Sequence, residues 1–171
     1  MTQKMILPFG DPLLRKKSKP VTEFNSRLHK LLDDMAETLY ASDGRAGLAA
    51  PQVGILRRVI VLDCGDGLVE LINPEIIESR DEQTGKEACL SFPGHNGIVK
   101  RSAYVKLKNQ DRQGNITELE GVGFLARCFQ HEIDHLNGIL YIDHIENGDL
   151  YLDGTENRVN LMQAIRTSKT N

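Results

Sequence analysis

The sequence has no excess of positive charge: its 171 residues carry 21 Lys and Arg against 24 Asp and Glu, a formal net charge of −3. A nucleic-acid-binding chain usually carries a basic patch or stripe. The only basic cluster here, "RKKSK" at 15–19, is short and reads as a solvated loop. No apolar run approaches the roughly 18 residues that span a bilayer, so no membrane association is expected. The opening "MTQKMILPFGDP" has neither the apolar core and cleavage site of a signal peptide nor the bias of a transit peptide. Internal repeats and low-complexity tracts are absent. Cysteine is scarce: Cys64, Cys89 and Cys128 are odd in number and widely spaced, which argues against a disulfide framework. A reducing cytoplasm, where thiolates stay free to bind metal, is the simplest setting. The length suits one domain, 1–171, with a core that needs no covalent staples.

What is present has a clear periodicity. Leu28, Leu31, Leu32, Met35 and Leu39 recur at helical spacing, which predicts an amphipathic helix over 26–42, with Asn25 or Ser26 as its cap and Gly44 just past its end. Short β-type runs follow: "RRVIVLDC", then "LVELINPEII" interrupted by Pro74, then a hairpin around "RQGN". Helical spacing returns in "GVGFLARCFQHEIDHLNG", with Gly138 placed to cap the end, and "NRVNLMQAIRTSK" predicts a short terminal helix. Strands gathered between two separated helices indicate an α+β fold rather than alternating β-α units.

Chemistry enters at "QHEIDH". Residues four apart on a helix share a face, about 5–6 Å apart at Cβ, so His131 and His135 can converge on one ion with Glu132 beside them. This H-E-x-x-H pattern points to a metal-assisted hydrolase, two ligands with a carboxylate to take a proton from water. One protease class continues to a third His after the glycine; here the spacing holds as far as Gly138, but Tyr141 occupies the ligand position. His144 and Glu146 stay open as third ligands, although neither has the right spacing. The short remaining tail argues for a ligand upstream, a cysteine or carboxylate in the turn-rich stretch "KEACLSFPGHNG". Cys89 would complete a compact set with an open position, although alone it reads more readily as a small buried hydrophobe. In "GLAAPQVG" the Gln52 amide could donate to a developing oxyanion, and alone it reads as a surface glutamine in a loop.

Taken together, "GLAAPQ", "EACLS" and "QHEIDH", in this order, resemble the peptide deformylase family, as does the opening "GDPLLRKKSKPV". The resemblance runs from about residue 5 to 145 and leaves the tail from about Glu146 unassigned. It departs twice from the family pattern: Arg45 stands where G-x-G-L-A-A-P-Q has its first glycine, and Ala88 replaces the glycine of E-G-C-L-S. Both positions are expected to border the substrate groove.

The resemblance implies antiparallel or mixed β-sheets packed around a central helix that carries HExxH, with a further N-terminal helix. It implies removal of the N-formyl group from the initiator methionine of nascent chains. Cys89, His131 and His135 would hold one divalent ion, with Fe(2+) favoured and Zn(2+), Ni(2+) or Co(2+) compatible. Glu132 would move the proton, and Gln52 with the backbone N–H of Leu90 would stabilise the oxyanion. Backbone groups at Gly47 and near Ala88 would hold the peptide, and Cys128 would line the methionine pocket or pack in the core. Asp134 and Arg101 are candidates to orient the ligands, with simple solvation as the alternative. Expected partners are N-formyl-Met nascent peptides, with at most a transient ribosome contact by a monomer. A general metallopeptidase and a structural metal site are the rival readings.

Overall fold

The computed structural model describes residues 2–169. Helix α1 (Ser26–Tyr40) begins where expected: Asn25 is its cap, its side-chain oxygen accepting from the Leu28 N–H at 3.2 Å. Strands β1 (Gly47–Ala49), β2 (Val59–Leu62), β3 (Val69–Cys89), β4 (Phe92–Gln110) and β5 (Ile116–Val122) follow, then helix α2 (Gly123–Leu136), strand β6 (Leu150–Leu152) and helix α3 (Leu161–Lys169). The strands form one sheet in the order β1-β2-β3-β4-β5, with β6 also on β4, and every strand pair is antiparallel. The α+β expectation holds, and of the two sheet types only the antiparallel one occurs among these pairs. No helix among the described residues is long and apolar enough to cross a membrane.

Side-chain alternation along β2 explains how the sheet is held. Val59 and Val61 pack with Leu28, Leu32, Met35 and Leu39 of α1, whereas Ile60 and Leu62 pack with Ala126, Phe129, Ile133 and Leu136 of α2. The strand is apolar throughout because both of its faces are covered. A third cluster joins Phe9, Leu14, Val99, Tyr141, Ile142 and Leu150 with α3.

Two expectations need correction. The "KEACLSFPGHNG" stretch is not turn-rich: β3 runs to Cys89, Leu90 and Ser91 make the turn, and β4 resumes at Phe92. The register shifts between Glu87 and Cys89, as it does between Ile72 and Glu75 where Pro74 sits, so the proline is accommodated at an irregularity rather than ending the strand. The basic cluster is not wholly solvated either. Lys16 and Lys17 are exposed, but Arg15 pairs with Asp143 at 2.6 Å and donates to Ser168 at 2.6 Å.

At the end of α2, Gly138 has φ +72°, and a Cβ there would collide with the Arg15 carbonyl oxygen. Only glycine meets both demands, which fixes how the helix ends.

Asp34 of α1 is buried and receives the Thr2 N–H at 2.7 Å and the Lys30 ammonium at 2.7 Å. The Lys30 hydrogen bond, outweighing burial, holds its carboxyl below the ordinary range. A depressed carboxyl stabilises the fold above its unfolded pKa, near 3.9, and loses that contribution as pH falls through the folded value. Asp34→Asn is therefore expected to cost ~1 kcal/mol at pH 7 and progressively less below pH ~4, as read by urea denaturation across that range.

Candidate active site

The site forms where the β3–β4 turn meets α2. Alternation along β3 buries Glu87 and Cys89 and leaves Lys86 and Ala88 exposed, so a carboxylate and a thiol point to the same side. On α2, His131, Glu132 and His135 are all buried on the face turned toward them. The ligand atoms of Cys89, His131 and His135 lie within 4.8 Å of one another. Cys89 Sγ is 3.3 Å from His135 Nε2. Donors bound at 2.0–2.3 Å to one tetrahedral ion stand roughly 3.3–3.6 Å apart, so the donor set fits a divalent metal.

The imidazoles are prepared for that role. His131 Nδ1 is 2.8 Å from Glu87 Oε1, which leaves its Nε2 for the cluster. The same carboxylate accepts from Arg101 Nε and Nη2, both at 2.8 Å, and from Arg127 Nη1 at 2.6 Å. Burial pushes the Glu87 carboxyl up, but the Arg101 and His131 hydrogen bonds outweigh it and hold Glu87 well below the usual carboxylate range. Burial drives His135 well below its ordinary value, keeping it a neutral donor. Arg101 also reaches Asp134 at 2.6 Å, and Asp134 meets His144 at 2.8 Å. Arg101 and Asp134 are thus part of a network that reaches His131 through Glu87. His144, an alternative third ligand in the sequence, belongs to that network and lies outside the ligand cluster.

Glu132 is 5% exposed, with Oε1 3.9 Å from His131 Nε2 and Oε2 without a hydrogen-bond partner among the described residues. Burial raises its pKa to about 7 against the opposing pull of His131. Gly47 makes this placement feasible: a Cβ there would stand 2.7 Å from Glu132 Oε1 and 3.0 Å from its Cδ. Gly47→Ala is expected to leave the fold stable but displace the carboxylate, with kcat falling up to ~10²-fold, as a misplacement of about 1 Å does. Turnover measured beside metal content and Tm checks this.

Gln52 is buried and is not a surface glutamine. Its Oε1 accepts from the Ala49 N–H at 3.0 Å, which turns Nε2 toward Ser91 Oγ at 3.1 Å and Cys89 Sγ at 3.5 Å. Gly47, Gln52, Ala88, Cys89, Leu90, Cys128, His131 and Glu132 all line one open cavity of about 500 Å³. Arg45 lines it too, so both departures from the family pattern, Arg45 and Ala88, border this groove.

Several residues at the site went unnoticed in the sequence. Glu87 had a readable signal, since it stands two residues before Cys89 in what is in fact a strand. Ser91 stands inside the "EACLS" motif, though no role was read for it; Arg127 had no such signal. Asp153 lies in the unassigned tail, yet it lines the cavity because β6 pairs with 95–97 and Asn96 Nδ2 donates to it at 2.7 Å.

A buried Cys/His/His cluster opening on a groove, with a buried carboxylate beside it, defines a metal-dependent hydrolase. Comparison with known proteins makes this specific. The sequence model of the family described as "Polypeptide deformylase" matches residues 3–150, and the chain belongs to that family. The peptide deformylase of Alkaliphilus metalliredigens is 56% identical over 145 residues, covering 85% of this chain and 98% of that protein. A crystal structure of the peptide deformylase from Thermotoga maritima superposes with a TM-score of 0.83 at 49% identity, over 85% of this chain and 99% of that one. The peptide deformylase of Synechococcus elongatus, solved in complex with actinonin, gives a TM-score of 0.81 at 35% identity over 100% of this chain and 92% of that one. The chain is accordingly an enzyme, a metal-dependent N-terminal deformylase.

Proposed function

We propose that the chain hydrolyses the N-formyl group of the initiator methionine on newly made proteins and releases formate, with Cys89, His131 and His135 as the metal ligands. The observation that carries the residue assignment is the convergence of that cluster, the Glu132 carboxylate and the Gln52 amide on one cavity. When bound, the divalent ion supplies Lewis acidity, which brings the ionisation of water close to neutral pH. Glu132, buried and without a fixed partner, takes the proton from the attacking water and returns it to the leaving amine. The Gln52 amide, its orientation fixed by Ala49, and the backbone N–H of Leu90 stabilise the charge that develops on the formyl oxygen. Backbone groups at Gly47 and Ala88 hold the peptide as an added strand, and the methionine side chain lies against Cys128. Helix α2 is the central scaffold of this arrangement.

Fe(2+) is the physiological ion in this reading, with zinc as its common replacement. The chain acts as one domain over 1–171 and as a monomer in the cytoplasm. It meets nascent chains with at most a transient ribosome contact and binds no nucleic acid directly. An assay of formate release from a formyl-Met peptide, beside cleavage of its free-amine counterpart, tests the activity. Formate from the first and no cleavage of the second is the expected result; internal cleavage of the free-amine peptide would replace this reading with a general peptidase. Metal analysis of anaerobically prepared protein tests the ion.

A further inference from the structure

Charge along the cavity is unevenly matched. Glu87 and Arg127, buried in its wall, pair with each other at 2.6 Å. Asp153 accepts from Asn96 Nδ2 at 2.7 Å, and its N–H donates to the Gly94 carbonyl at 2.9 Å, which keeps it beside β4. Arg45 and Lys86 also line the cavity, and among the described residues neither forms an ion pair. Lys86 is exposed, whereas Arg45 is half-buried and its Nη1 donates to the Thr38 carbonyl in the last turn of α1. That anchor holds a guanidinium at the cavity edge before any ligand arrives, so little freedom is lost when one binds.

The backbone shows which part of a substrate would pass it. β1 is the edge strand of the sheet, paired on one side with β2. At its inner end Ala49 is buried and bonds Gln52, whose amide lies beside Cys89. Gly47 borders Glu132. Burial then declines through Gly47 and Arg45 to the exposed Gly44, so this edge leads outward from the ligand cluster to solvent. A formylated peptide laid along it with its reacting amide at Glu132 puts methionine opposite Gly47. Two residues further out, roughly 6–7 Å along a strand, its third residue lies opposite Arg45.

We propose that Arg45 is a specificity-determining residue that favours nascent chains with an acidic side chain at the third position.

The preference rests on the deformylase reading of this groove. Opposite charges facing each other on neighbouring strands strengthen the pairing by up to about fivefold, and like charges weaken it. A glutamate or aspartate at the third position meets the guanidinium, whose planar fork matches a carboxylate. A lysine there meets a like charge. The contact lies away from the reacting bond and is made equally before and during reaction, so it lowers KM and leaves kcat unchanged. Lys86 adds to the positive field, but its exposed, unanchored ammonium contributes less.

The test uses the full zinc-loaded chain and formyl-Met-Ala-X-Ser peptides in which X is Glu, Gln or Lys. By formate release, KM for the Glu peptide should lie about 3–5-fold below that for Gln, with Lys above both and kcat alike. The spread should shrink as ionic strength rises from about 0.02 to 0.5 M. Arg45→Gln should bring the three KM values together, Arg45→Lys should keep part of the order, and Arg45→Glu should reverse it. Lys86→Gln should keep most of the spread. Equal KM values in the parent, a spread that survives Arg45→Gln, or one that only Lys86→Gln abolishes would overturn the assignment. Calorimetric binding of the same peptides to the Glu132→Gln chain, with and without Arg45→Gln, reads the preference as Kd without turnover. If an Arg45-dependent order of Kd appears in a protein whose parent releases no formate, the role of Arg45 stands and the deformylase reading fails. Formate release at one KM for all three peptides keeps that reading and removes Arg45, and neither binding nor release would remove both.

Discussion

Replacing Glu132 with glutamine is expected to lower kcat for formyl-Met peptides by ~10²–10⁴, the usual contribution of a positioned acid–base group, without loss of metal or fold. Glutamine matches the size of the side chain and can occupy the space beside Gly47, but it cannot accept and return a proton. The structure separates this catalytic cost from a structural one. Among the described residues Glu132 Oε2 has no hydrogen-bond partner, and Oε1 stands 3.9 Å from His131 Nε2, so the substitution breaks no hydrogen-bond network. Burial already favours the neutral carboxyl, which glutamine mimics. Metal content and Tm should therefore stay at the parent level while formate release collapses. A variant that keeps full turnover would remove Glu132 from the mechanism, and one that loses its metal in step with its activity would make Glu132 a ligand instead.

Much of the fold could be read in advance because local rules and burial agree. Asn25 caps α1, the "RQGN" turn joins β4 to β5, and α2 carries the histidines on its buried face. The reading failed where the determinant is long-range. β3 and β4 are far longer than the short strands expected, because pairing with each other carries them through Pro74 and past the Gly- and Pro-containing stretch after Cys89. Taking that stretch for turns hid the alternation that sets Glu87 and Cys89 on one face. The candidate ligands were legible because a helix fixes His131 and His135 together at four-residue spacing. Cys89 was weighable on its residue type but was singled out by resemblance. Arg127 and Asp153 were not legible, since each reaches the cavity through tertiary contacts that no spacing encodes.

Glu87 carries the second large prediction. One carboxylate serves His131, Arg101 and Arg127 at 2.6–2.8 Å, and all four side chains are buried. Its removal in Glu87→Ala leaves two buried guanidinium groups short of their shared anion. Breaking a buried ion pair from one side costs ~3–5 kcal/mol, and the second arginine places this case at the upper end. Arg127 gains no relief, because among the described residues its Nη2 already lacks a hydrogen-bond partner and only the Val99 carbonyl, at 3.0 Å from Nη1, would remain. The same change frees the His131 ring, whose Nδ1 would lose the acceptor that fixes its tautomer, and loss of such a partner weakens metal binding by ~10–100-fold. Glu87→Gln separates the two effects: its amide oxygen still accepts from His131 or an arginine, so it should recover part of the stability. Without the full negative charge it should hold metal less tightly than the parent. Denaturation of the metal-free proteins together with competitive chelation reads both quantities. If the alanine variant matched the parent in both, the carboxylate would be a bystander, and the orientation of His131 would have to come from Tyr141, whose ring stacks on it at 6.0 Å between centroids.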